Sequence, residues 1–158
     1  MQVLRRAGGQ SLAEFALIAP LLVLILFGII ELGIIINVYI GMTNSAREAA
    51  RAGAIFQYTG AAPLSGDTSA VGTIDTARQA YVSAMIAETL NPIVDPATIA
   101  VTTSYTPTAP LATNPYRAGD TLAVMIEHPH QLFFGILGPQ QITIKATSTM
   151  RIEPGGTP

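Results

Sequence analysis

Residues 15–30 contain no charged or strongly polar side chain, and after a single acid, Glu31, the apolar run continues to Ile36. As a helix rising about 1.5 Å per residue, residues 15–36 span about 33 Å, enough to cross a hydrocarbon core of about 30 Å. A soluble domain rarely spends such a run on one element, so the segment over about 15–38 is read as membrane-spanning. Arg5 and Arg6 precede the run, and the next basic residue is Arg47. The positive-inside rule then leaves the N-terminus in the cytoplasm and the residues after about 40 outside.

The helix does not end with the bilayer. Residues 43–53, TNSAREAARAG, are rich in alanine and free of proline, and Glu48 can pair with Arg51 at helical spacing. One long helix is predicted over 10–57, apolar in its first half and amphipathic in its second. Pro20 removes the bond to the Ala16 carbonyl and clashes with that turn, which predicts a kink or a locally melted turn. Gly28, Gly33 and Gly41 offer close approach to neighbouring helices, although their spacing is not GxxxG.

The stretch before the run is MQVLRRAGG followed by QSLAE. A secretory signal has a shorter apolar region and a small-residue cleavage site after it, whereas here the run is followed by Glu31-Leu32-Gly33-Ile34. Cleavage after the run is therefore not expected. A peptidase cutting on the cytoplasmic side, before the run, would remove the arginines and leave the apolar helix attached. Glu14 needs its own account, because a carboxylate inside a bilayer costs about 2.5–3.5 kcal/mol on insertion scales. Either it lies at headgroup level near the helix N-terminus, where a negative charge is mildly favourable, or it faces an ammonium group within a bundle of such helices and sets their axial register. Glu31, about 24 Å along the helix from Phe15, is expected to emerge into water.

Gly9-Gln10 with Glu14 and Phe15 resembles the class III leader of type IV pilin-like proteins, cut between the glycine and the next residue. More specifically, GQSLAEFALIAPLLVLILFGIIELG followed by TNSAREAARAGA resembles the TadE-like family, pilin-like components of tight-adherence (Tad) pilus machines. The resemblance reaches the chain's end, where residues 132–153 are similar to the family's closing pattern of a short apolar loop and an alternating strand ending in Met-Arg-x-Glu. It implies that Gly9 precedes the cut and Gln10 becomes the new N-terminus. It also makes Glu14 the charge five residues in, and after such a cut that carboxylate could face the free ammonium of Gln10 of its own or a neighbouring subunit. Glu31 and Ala46-Arg47-Glu48 stand where the family usually carries an acid and an Ala-Arg-Glu signature. Prepilin peptidase, other pilin-like subunits, further Tad machinery and membrane lipid are the implied partners, with a homo-oligomer or filament as the assembled form. The implied place is the cytoplasmic (inner) membrane, single-pass, and after assembly an extracellular filament.

Beyond the helix, residues 58–72 read as a connecting loop, and a second helix is predicted from Asp75 or Thr76 to about Leu90, where Asn91-Pro92 stops it. Its stripe is read as Ala77, Tyr81, Ala84 and Met85, widened by Val82, Ile86 and Leu90. The period then changes to two. Ile99, Val101, Thr103 and Tyr105 alternate with polar or small residues in a first strand. Residues 106–119 carry three prolines and form a long loop, residues 121–127 a second strand that Pro129 ends, and residues 142–152 a third. Helices followed by strands argue for an α+β fold, with the second helix and the outer half of the first laid on a small three-stranded antiparallel sheet. Three parts follow: a leader at 1–9, the long helix at 10–57 and an extracytoplasmic domain at 58–158. The apolar loop at 132–139 either plugs the core or docks on a neighbour or the bilayer surface. The closing PGGTP is expected to fray.

The chemistry is sparse. The chain has no cysteine, and charged residues make up 11% of it, with a net charge of −2. That excludes disulfides and thiol nucleophiles and gives nucleic acid no basic surface. Glu127, His128 and His130 are the one cluster that suggests a metal, but a proline separates the histidines and no fourth ligand is evident. No catalytic or nucleotide-binding motif occurs, so neither an enzyme nor a cofactor is expected. Two functions remain: a pilin-like structural subunit trimmed after Gly9 and assembled through its apolar helix, or an uncleaved single-pass scaffold of a pilus or secretion machine. The residues singled out for processing are Gly9 and Gln10, and for assembly Glu14, Phe15, Pro20 and Glu31.

Overall fold

The structure is a computed structural model that describes residues 4–60, 68–90, 92–111, 113–132 and 140–153. Helix α1 (Leu4–Ala54) is followed by α2 (Ser69–Thr89), a short 3-10 turn (Pro96–Thr98) and three strands: β1 (Ala100–Thr106), β2 (Thr121–Gln131) and β3 (Gln141–Arg151). The strands form one antiparallel sheet in the order β1-β2-β3. The fold is α+β, as the change of period implies.

Alternation decides the sheet's two faces. Leu122, Val124 and Ile126 of β2 are buried on one face, with Ile144 and Ala146 of β3 beside them and the half-buried Val101 and Tyr105 of β1 packed against them. The opposite face of β3, including Thr143, Lys145, Thr147 and Thr149, is exposed.

The outer part of α1 covers the buried face. Its domain-facing stripe runs Glu31, Ile35, Val38, Met42, Ala46, Ala49 and Gly53 at steps of three and four, which keeps it on one side of the helix. From Glu31 to Ala54 the helix rises about 35 Å, and from Ile142 to Glu153 an extended chain covers about 36 Å. Contacts at both ends match these lengths: His130, paired with Ile142, meets Glu31, and the Glu153 N–H donates to the Ala54 carbonyl at 3.1 Å. So α1 lies lengthwise along the sheet, and the last strand satisfies a carbonyl that the helix end leaves open. The alanines allow the close approach. Ala46, Ala49 and Ala50 are fully buried, while Glu48 and Arg51 pair at 2.9 Å on the exposed side.

Five expectations need correction. Helix α1 ends at Ala54, not 57, and residues around Pro20 stay helical, so of the kink and the melted turn expected there the melted turn does not occur. Helix α2 starts at Ser69, six residues before Asp75, so the end of the proposed 58–72 loop is helical. No side-chain cap marks that start, but Val71 and Ile74 are buried, and they extend the apolar stripe one turn earlier. The stripe itself is Val71, Ile74, Arg78, Val82, Ile86 and Leu90. Tyr81 and Ala84, placed at its centre by the sequence reading, are exposed. Finally, β2 continues past Pro129 to Gln131. Strand β1 has ended at Ala100, opposite Glu127, so Pro129 stands where β2 borders only β3, and an open edge tolerates a residue without an N–H. The expected frayed tail at 154–158, residues 133–139 of the apolar loop and residues 61–67 of the 58–72 loop lie outside the described residues.

Candidate functional site

The inner half of α1 is a bare apolar rod. Phe15 is 66% and Leu17 80% exposed, and exposed leucines, isoleucines and valines continue through residues 21–30. Helix α1 is long and apolar enough to cross a membrane. At its beginning Gly9 is exposed, and a side chain there would meet nothing. One helical turn on, the Gln10 side chain donates from Nε2 to Glu14 Oε1 at 3.2 Å. Residues 10 and 14 therefore share one face of the helix, while Phe15 and Pro20 are exposed beside it.

Glu31 does not emerge into water. It is 9% exposed, and its Oε1 lies 3.0 Å from Nε2 of His130, near the end of β2. The two side chains meet because the α1 stripe carries Glu31 towards the sheet, while even-numbered residues of β2 point at α1. The sequence contained half of this signal. Stepping back from Ala46 by fours and threes reaches Met42, Val38, Ile35 and Glu31, but nothing local identifies the partner.

The same alternation divides the candidate metal cluster. His128 and His130 project from the α1 side of the sheet, and Glu127 projects from the other, where it pairs with Lys145. His128 is 3.3 Å from Thr98 Oγ1, and burial, aided by repulsion from His130, lowers its pKa. Among the described residues no three His, Cys, Asp or Glu side chains gather as metal ligands.

At the opposite end of the sheet, a set of charged residues missed by sequence reading ties α2 to the 107–120 loop. Asp75 receives Arg117 through both oxygens, at 2.8 to 3.0 Å. The Arg117 guanidinium lies 4.1 Å from the centre of the Tyr105 ring, and opposition to Asp75 raises its pKa. Arg78, the largest fully buried side chain among the described residues, donates to the Tyr116 carbonyl at 3.0 Å. Its guanidinium lies 5.8 Å from the centre of the Phe56 ring and 5.7 Å from that of Tyr105. Asp120, fully buried, accepts from Thr108 N–H and Oγ1. Arg117 takes a positive φ of 57°, a conformation that two bonds to Asp75 hold in place. Helical spacing of Asp75 and Arg78 was visible in the sequence, but the loop partner 42 residues away was not.

The exposed apolar rod, the shared face of Gln10 and Glu14, and the Ala-Arg-Glu turn whose Ala46 is buried against the domain all fall within one contiguous segment. Residues 9–51 match the TadE-like protein family. The TadE-like segment starts at the proposed cut and covers α1 nearly to its end. It includes Glu14, Phe15, Pro20 and Glu31, whereas α2, the sheet and the closing Met-Arg-x-Glu lie outside it. No curated protein and no solved structure matches the chain. A long apolar helix under a TadE-like signature fits a pilin-like Tad component with a single-pass membrane anchor.

Proposed function

We propose that the chain is a pilin-like structural subunit of a Tad or type IV-like pilus, inserted with its N-terminus inside, trimmed between Gly9 and Gln10, and assembled by packing its apolar helices together. The observation that carries this reading is the division of α1. From Glu31 outward one face is committed to its own domain, while Phe15, Leu17, Leu21, Leu22 and Leu24 of the inner half are exposed. Lipid covers such a rod in the membrane, and the rods of neighbouring subunits cover it in a filament. Trimming would place the new ammonium of Gln10 one helical turn from Glu14, on the face those residues already share. The partners are membrane lipid, a prepilin peptidase and other pilin-like subunits, and the protein's role is structural rather than catalytic.

The test is the intact mass of the chain from membranes and from sheared extracellular material of its own host. A mass lacking residues 1–9 in the sheared fraction supports the processed subunit. Full-length mass confined to the membrane overturns it in favour of an uncleaved scaffold.

A further inference from the structure

Strands β2 and β3 outrun the rest of the sheet. Strand β1 stops at Ala100 opposite Glu127, but β2 and β3 stay paired to Gln131 opposite Gln141. This two-stranded arm extends about 13 Å beyond β1. Contact between His130 and Glu31 fixes its level on α1. That level can be compared with the thickness of a membrane. From Arg6 to Glu31 the helix rises about 37 Å, less than the roughly 40–45 Å of a bilayer with its headgroups, and tilt only shortens the projection. From Phe15 to Glu31 the rise is about 24 Å, short of a hydrocarbon core of about 30 Å. Both distances put Glu31 inside the outer surface of the membrane.

Two further observations agree. Exposed apolar surface on α1 does not stop at Glu31: Leu32 is 56%, Ile36 48% and Ile40 52% exposed on the sides the domain leaves free. A bilayer ending below Glu31 would leave all three in water. The arm's own chemistry also suits the headgroup layer. Gln131, Gln140 and Gln141 present amides, Leu132 is half-buried and Ile142 is 37% exposed. Among the described residues beyond Glu127 and Lys145, its ionisable groups are His128, set against Thr98, and His130, engaged by Glu31. Amides can hydrogen-bond the polar groups of the headgroup layer, and the aliphatic side chains beside them can reach towards the acyl boundary.

We propose that the β2–β3 arm is seated in the headgroup layer of the outer leaflet, with phospholipid as its partner, so that the domain stands in the membrane surface rather than above it. This rests on the reading of α1 as a membrane span. The absence of cysteine allows a clean test. Single variants Gln141→Cys on the arm, Thr113→Cys in the loop at the far end of the sheet and Leu22→Cys in the apolar rod, all at exposed positions, are labelled with an environment-sensitive fluorophore. The full chain is then placed in phosphatidylcholine nanodiscs whose lipids carry a spin label on the headgroup or on the acyl chain.

The expected result is quenching of the arm label by headgroup-labelled lipid, several-fold stronger than at position 113, with the position 22 label quenched by the acyl-chain probe. Quenching at 141 no greater than at 113, with position 22 quenched, overturns the seating while leaving the membrane span intact. No quenching at position 22 overturns both.

Discussion

His130 Nε2 and Glu31 Oε1, 99 residues apart in the chain, lie 3.0 Å from each other where the sheet's longest strands meet the helix that leaves the domain. The contact closes the packed unit at that end. Replacing the imidazole leaves the largely buried Glu31 without one of its hydrogen-bond partners, and such a loss typically costs about 1–3 kcal/mol. His130→Ala should therefore lower the denaturation midpoint of the full chain in detergent. Glu31→Gln, which keeps an acceptor, should lose less. Equal stability of His130→Ala and the parent would show that the contact contributes nothing.

Gly53 sets how closely three elements approach. A methyl group on its Cα would lie 2.7 Å from both Leu122 Cδ2 and Val82 Cγ2, the ends of two fully buried side chains that would have to shift. Overpacking of this kind typically costs about 1–3 kcal/mol. Gly53→Ala should destabilise the domain by that order in chemical denaturation, despite alanine's better helix propensity. The exposed Gly28 and Gly33 meet nothing on adding a methyl, so the same change there should not destabilise the fold.

Asp75 holds the 107–120 loop. Asp75→Asn removes the charge opposing Arg117 and the fully buried Arg78, and breaking a pair of this sort costs about 3 kcal/mol where burial is substantial. We expect loss of that order, together with faster proteolysis within 107–120. Arg117→Lys should be nearly as damaging, because a lysine provides neither the two-pronged bond nor a guanidinium over the Tyr105 ring. Retention of full stability by Arg117→Lys would mean that a point charge suffices.

Stability should fall on mild acidification. The pKa of His128 in the folded chain lies below the ordinary value of 6.5, from burial first and the neighbouring His130 second. The unfolded chain therefore takes up the proton more readily. The contribution is fully present above pH 6.5 and is lost as pH drops from there through the lowered value. A denaturation series between pH 8 and pH 5 reads this, and His128→Asn should flatten it. An unchanged slope in that variant assigns the pH dependence to other groups.

Glu14→Ala should spare membrane insertion and impair assembly, if the carboxylate answers the Gln10 ammonium exposed by trimming. Fractionation measures the first and the yield of sheared filaments the second. Unchanged filament yield would rule the role out.

The sequence made the long helix legible because twenty-two residues with one charge admit few alternatives. It also made β1 and β3 legible, since strict alternation identifies a half-buried strand. It misled where local signals were weak or the partner remote. Helix α2 begins without a capping side chain, and Gly72 inside its first turn resembles a loop. Arg78 reads as a surface residue, yet it occupies the core because Asp75, the Tyr116 carbonyl and two aromatic rings surround it. Pro129 reads as a terminator, and only the shorter β1 leaves β2 an edge there. Glu31 reads as emerging into water because its partner sits at the far end of the sequence.

The lengthwise bedding of α1 on β3, fastened at Glu31 by His130 and at Ala54 by Glu153, has a mechanical meaning. Tension transmitted along α1 runs parallel to that seam and loads its contacts together, in shear. A domain hung on the helix at one end would instead peel away one contact at a time. The same sheet joined to its helix only at residue 54 would be a tag on a rope; bedded along some 35 Å, it is a splice.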